Sequence, residues 1–164
     1  MKKYLFVLSV LVMGLSSCLK DNSNPVPVPD PAVQAKADDD AIIAYLAAHT
    51  SITATKDASG LYYQILDPGT GAAITTNSTV VVNYAGKDIK DVQFEAKDNV
   101  SYIVSQLIPG WQIGLPKIKY GGKILLIIPS GLAYGPNING SLPANSVVIF
   151  TVTVNAANSN NTPI

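Results

Sequence analysis

Apolar positions are distributed along this chain in three different rhythms. An apolar run, Tyr4 to Leu15, follows Lys2 and Lys3. It is too short to span a bilayer as a stable helix, and its charged-then-apolar order is that of a secretory leader. In DDDAIIAYLAAHT (38–50) the apolar residues Ile42, Ile43, Leu46 and Ala47 recur at helical spacing. That spacing predicts a short amphipathic helix over 37–50, with Asp38, Asp39 and Asp40 at its N-terminus, where negative charge complements the helix dipole. From residue 51 the runs shorten. LYYQIL (61–66), TVVVNYAG (79–86), VSYIV (100–104), GKILLIIP (122–129) and SVVIFTVTV (146–154) read as strands divided by turn residues. Several are apolar on both parities, so an antiparallel sheet made from them needs cover on each face, or a pocket on one. Only 111–118 suits a helix inside this region, and Pro116 keeps it short. The expected architecture is α+β: a twisted antiparallel sheet with one short helix across its concave face, preceded by an N-terminal helix.

The leader ends Leu15-Ser16-Ser17-Cys18, small residues ahead of a cysteine, which resembles the lipobox of bacterial lipoproteins. Cys18 is the only cysteine, so no intrachain disulfide can form, and lipidation gives a lone exported cysteine a purpose. Each acyl methylene buried would contribute about 0.8 kcal/mol of membrane affinity. Leu19, rather than an aspartate, follows the cysteine, which points to an outer membrane. The mature protein is expected to be anchored there, facing the periplasm. Pro25, Pro27, Pro29 and Pro31 alternate through the next stretch and favour an extended polyproline spacer. The expected organisation is a leader at 1–17, lipidated Cys18 and spacer over 18–36, a helix over 37–50, one domain over 51–156 and a polar tail at 157–164.

Charge narrows the partner. The formal net charge is zero, charged residues make up 13% of the chain and arginine is absent, which argues against a surface that tracks nucleic-acid phosphates. A small or peptidic partner fits better. His49 is the single histidine, so neither a histidine metal site nor a triad can be assembled. The acidic triplet lacks the loop glycine and distal glutamate of a calcium loop. Nucleophile-elbow, phosphate-loop and dinucleotide motifs are also absent, so no metal and no cofactor is expected.

In LIPGWQIGLPKI (107–118) the only tryptophan, Trp111, follows a Pro-Gly turn. By itself this is either a core residue under a loop or the floor of an apolar pocket. Four stretches in order, VVVNYAG, LIPGWQIGL, IPSGLAYG and LPANSVVIFTV, resemble the FKBP family of peptidyl-prolyl cis-trans isomerases over residues 60–156. The lipobox, spacer and helix resemble those of FKBP-type lipoproteins of Bacteroidota. The resemblance implies a bent antiparallel sheet wrapped around a short helix. It also implies a pocket made by Tyr84, Phe94, Leu107, Ile108, Tyr134, Leu142 and Phe150, with Trp111 at its base.

By the same resemblance, proline would lie on the indole, the Ile108 N–H and Tyr134 hydroxyl would donate to substrate carbonyls, and Glu95 would make a supporting polar contact. Glu95 stands where the family usually has aspartate, Ala144 replaces the second proline of a usual pair, and Pro116 is unusual in the short helix. The implied function is isomerisation of X-Pro bonds in exported, unfolded or partly folded polypeptides. The alternative is a membrane-tethered peptide-binding module or holdase with little isomerase activity. A monomer is expected.

Overall fold

A computed structural model describes residues 30–155. The leader, Cys18, the spacer up to 29 and the tail at 157–164 lie outside the described residues.

Helix α1 runs Pro31–Ala48, so residues 31–36 belong to the helix and not to an extended spacer. The reason is local: the Asp30 carboxylate accepts the Ala32 N–H at 2.8 Å, and Pro31 occupies the first helical turn, where a missing N–H costs nothing. The acidic triplet therefore sits in mid-helix and does not cap it. Its members reach the rest of the chain or their own helix instead. Asp38 is buried against Ser130, Asp39 accepts the Tyr62 hydroxyl at 2.7 Å and Lys56 Nζ at 2.5 Å, and Asp40 pairs with Lys36 at 2.6 Å.

The inward face of α1 also differs from expectation. Ile42 and Tyr45 are buried and Leu46 is partly so, whereas Ile43 is 53% exposed and Ala47 faces solvent. Successive helical residues turn by about 100°, so with Asp38 and Ile42 inward, Tyr45 follows them and Ile43 cannot.

The sheet has six strands: β1 (Thr55–Lys56), β2 (Tyr62–Asp67), β3 (Thr79–Asp88), β4 (Gln93–Ile103), β5 (Lys123–Ile128) and β6 (Val148–Val154). Their order is β1-β2-β5-β6-β3-β4 and every pairing is antiparallel. All five expected strands are present; β1 adds a short edge. β4 begins at Gln93 and not at residue 100, because its polar half pairs with β3, Ala85 opposite Ala96 and Gly86 opposite Glu95. A bulge separates the two halves. Asn99 takes φ 54° there, and its N–H is held by Asn83 Oδ1 at 2.7 Å, bending the strand.

The two-sided apolar runs have cover on both faces. Ile124, Leu126 and Ile128 of β5, with Val148, Phe150 and Val152 of β6, join Trp111 and Leu115 in the larger core. Leu125, Ile127 and Ile149 face the other way and meet Ile42 and Tyr45 of α1. Each of these large apolar side chains contributes about 1.5–3 kcal/mol on full burial.

The short helix α2 (Pro109–Gly114) lies on the larger core, close enough that a Cβ on Gly110 would come 2.5 Å from Ile128 Cγ2. It tightens into a 3-10 turn at Leu115–Lys117. Pro116 thus falls after the α-helical bonding has ended: the Leu115 N–H still reaches Trp111 O, and the Ile118 N–H returns to Leu115 O at 3.1 Å. A proline in that turn breaks no α-helical bond.

Candidate functional site

Between α2, strands β3, β4 and β6, and the segment after β5 is a cavity of about 160 Å³, lined by Tyr84, Glu95, Tyr102, Leu107, Ile108, Trp111, Tyr134 and Phe150. A larger cleft of about 660 Å³ lies between α1 and residues 129–136, but no aromatic side chain lines it. The convergence of rings singles out the smaller cavity.

Trp111 is 3% exposed and also forms part of this lining. α2 begins at Pro109, directly after the turn, and carries the indole beneath the cavity. Three rings meet it nearly edge-on: Tyr84 at 5.1 Å and 88°, Phe150 at 5.3 Å and 83°, and Tyr102 at 6.5 Å and 82°. Such geometry sets the positive ring edge against a negative face. The Trp111 indole N–H is buried with no hydrogen-bond partner among the described residues.

Phe94 stands edge-on to Phe150 at 5.6 Å, is partly buried against the larger core, and is not among the lining residues. The approach of these two phenyl groups requires Gly86 of VNYAG, since a Cβ there would lie 2.6 Å from Phe150 Cε1 and 2.8 Å from Phe94 Cζ. Leu142 is buried in the larger core and is not among the lining residues, so the structure does not place it in the wall. Tyr102 is the lining residue that sequence reasoning missed. Its signal was the alternation in VSYIV: Val100, Tyr102 and Val104 turn inward while Ser101 and Ile103 face solvent.

The polar groups are few. Ile108 caps α2 with its carbonyl, which accepts the N–H groups of Trp111 at 2.9 Å and Gln112 at 3.2 Å, while its own N–H donates to no group among the described residues. Gln112 Nε2 holds the preceding loop by donating to Leu107 O at 2.6 Å and Ser105 O at 3.2 Å. The hydroxyls of Tyr84 and Tyr102 are 3.3 Å apart. Burial, then the neighbouring Tyr102 hydroxyl, then the Glu95 carboxylate push the Tyr84 pKa far above the ordinary tyrosine value. Burial and the Glu95 charge also raise that of Tyr134. Both phenols are therefore neutral donors at physiological pH. Glu95 itself is at the mouth of the site, its carboxylate 3.0 Å from Lys97 Nζ and its side chain 30% exposed. The arrangement is an apolar cup with an unused backbone donor and neutral hydroxyls at its rim.

Comparison with known proteins agrees with this geometry. The chain is 42% identical over 98 residues to the FKBP-type peptidyl-prolyl cis-trans isomerase FkpA of Escherichia coli, covering 57% of this chain and 36% of that protein. It is 36% identical over 130 residues to FkpA of Aeromonas hydrophila, covering 73% and 48%. The chain thus spans half or less of the length of these curated relatives. Its fold superposes on the crystal structure of Escherichia coli FkpA with a TM-score of 0.63 and 34% identity, over 76% of this chain and 62% of that one. A peptidyl-prolyl cis-trans isomerase structure from Pseudomonas syringae gives 0.63 and 25%, over 78% and 96%. Residues 71–155 match the family model described as FKBP-type peptidyl-prolyl cis-trans isomerase, just over half of the 164 residues, and the chain belongs to that family.

Proposed function

We propose that this protein is a peptidyl-prolyl cis-trans isomerase that binds the proline of an X-Pro bond in the Trp111 cavity. The observation that carries the reading is the free Ile108 N–H beside an aromatic cup. Rotation about an X-Pro amide takes tens to hundreds of seconds, because resonance keeps the bond planar against a barrier of about 18–20 kcal/mol. Twisting breaks the resonance and leaves a less polar amide. An apolar cup then favours the twisted form over the planar one, with no covalent intermediate. A thousandfold acceleration needs only about 4 kcal/mol of such preference.

In this reading the proline ring lies on the Trp111 indole, with Tyr84, Leu107 and Phe150 as walls and Phe94 behind them. Ile108 N–H and the Tyr134 hydroxyl donate to substrate carbonyls, and Glu95 acts through Tyr84 or on the displaced carbonyl. Leu142 contributes as core beneath the loop. The substrates are proline-containing segments of unfolded exported proteins. The leader and Cys18 would tether a monomeric domain to the outer membrane through lipid; one relative, 36% identical over 99 residues, is named outer membrane protein MIP in Legionella longbeachae.

A second reading, a tethered holdase, is favoured by exposed apolar side chains in two segments that carry site residues: Val92 at 60% and Ile138 at 76%. A protease-coupled assay on a Leu-Pro tetrapeptide, run beside binding of an unfolded client, separates the two. An isomerase accelerates the peptide at catalytic concentration; a holdase binds the client and leaves the peptide rate unchanged.

A further inference from the structure

Asp38 is a carboxylate with 3% exposure on α1, a helix that lines no part of the aromatic cavity. Burying such a group is costly unless donors satisfy it. Three do. Gln34 Nε2 donates to Oδ1 at 2.7 Å, and the Ser130 N–H and hydroxyl both donate to Oδ2, at 2.8 and 2.7 Å. Ser130, 1% exposed, opens the 3-10 turn Ser130–Leu132 that leads into Tyr134. The carbonyl of Ser130 in turn accepts the N–H groups of Ala133 at 3.0 Å and Gly135 at 2.9 Å, the two residues that flank Tyr134. One residue therefore brackets the Tyr134 backbone on both sides, and one carboxylate holds that residue.

Docking of α1 does not require this arrangement. Ile42 and Tyr45 already bury the helix against the sheet, and a buried ionic group is often a weaker anchor than an apolar one. What a carboxylate adds is direction: two donors of one residue must point at one oxygen. No strand pairing holds residues 129–137, so the direction has to come from elsewhere.

We propose that Asp38 is a positioning residue for the isomerase site, fixing Ser130 and, through it, the Tyr134 hydroxyl at the cavity. The inference rests on the isomerase reading above. The far end of α1 also reaches a turn of the sheet. The Tyr45 hydroxyl and His49 Nε2 contact the Asp91 carboxylate at 2.9 and 3.1 Å, in the turn that precedes Phe94 and Glu95 on β4.

The test is a double-mutant cycle on the full chain, Asp38→Ala against Tyr134→Phe, read as kcat and KM on a Leu-Pro peptide together with Tm. With Tyr134 present, Asp38→Ala lowers kcat/KM about fivefold, chiefly in kcat. In the Tyr134→Phe background it changes kcat/KM by less than about twofold, although Tm falls equally in both. Asp38→Asn, which keeps an acceptor for Ser130, recovers most of the rate. Loss of Tm with unchanged kcat/KM, or equal rate losses in both backgrounds, overturns the proposal. Should Asp38→Ala fail to fold, Ser130→Ala removes one bond of the pair: about a twofold loss that vanishes in Tyr134→Phe supports the proposal, and an equal loss in both overturns it. A wild-type chain without isomerase activity contradicts the functional reading itself, before any Asp38 variant is compared, and removes the positioning role with it.

Discussion

Tyr84 meets the indole of Trp111 edge-on, ring centroids 5.1 Å apart and planes at 88°. β3 supplies one ring and α2 the other, so this contact is one of those that join the sheet to the helix, and it forms a corner of the cavity. Because Trp111 is the only tryptophan, its emission reports on this corner alone. The expected emission is that of a buried indole, changing saturably with a proline peptide. Trp111→Leu is expected to lower Tm as well as abolish peptide binding, since core and floor are one residue; the loss should approach the roughly 3–5 kcal/mol typical of truncating a buried aromatic.

Gly86 gives a sharper probe of the walls. A methyl group there would collide with both Phe150 and Phe94. Gly86→Ala is expected to cost about 1–3 kcal/mol by overpacking and to weaken peptide binding by displacing the two rings. Urea melts and titration of the Trp111 emission measure the two effects separately.

The alkaline limb of stability follows from Tyr84. Its pKa is raised, first by burial and then by Tyr102 and Glu95, so the folded state keeps the proton after the unfolded chain has lost it. Its contribution is complete below the ordinary tyrosine pKa of 10.0 and is lost as pH rises beyond it. Urea melts from pH 9 to 12 should show falling stability, with Tyr84→Phe giving a shallower slope.

At the acid end the group is Asp91, whose pKa is lowered to about 2, first by the hydrogen bond from Lys87 and then by that from Tyr45. Its contribution is present above the ordinary carboxylate value of 3.8 and disappears as pH falls toward 2. Urea melts between pH 5 and 2 should lose less stability in Asp91→Asn than in the wild type.

The strands were legible because apolar runs such as KILLII announce a sheet covered on both faces, whatever covers them. α1 was misread at its start because alternating prolines signal a spacer, while Asp30-Pro31 is equally a cap followed by a first turn. The acidic triplet was misread as the helix start for a separate reason: the partner that buries Asp38, Ser130, lies 92 positions away. The polar half of β4 has no apolar alternation of its own; pairing with β3 makes it a strand. Trp111, Tyr84, Tyr134 and Phe150 were legible through their motifs, and all four line the cavity. Leu142 and Phe94 came from the same motifs and are not among the lining residues, because motif order does not report which side chains face the cavity.

Exchange NMR on a short Leu-Pro peptide at equilibrium, with the full chain at substoichiometric concentration, tests the isomerase reading most directly, since neither a protease nor an unfolded client intervenes. Cis-trans cross-peaks should appear with wild-type protein on a timescale at which the free peptide shows none, and should vanish with Trp111→Leu. Absence of cross-peaks with wild-type protein, or their persistence in Trp111→Leu, would contradict catalysis in this cavity.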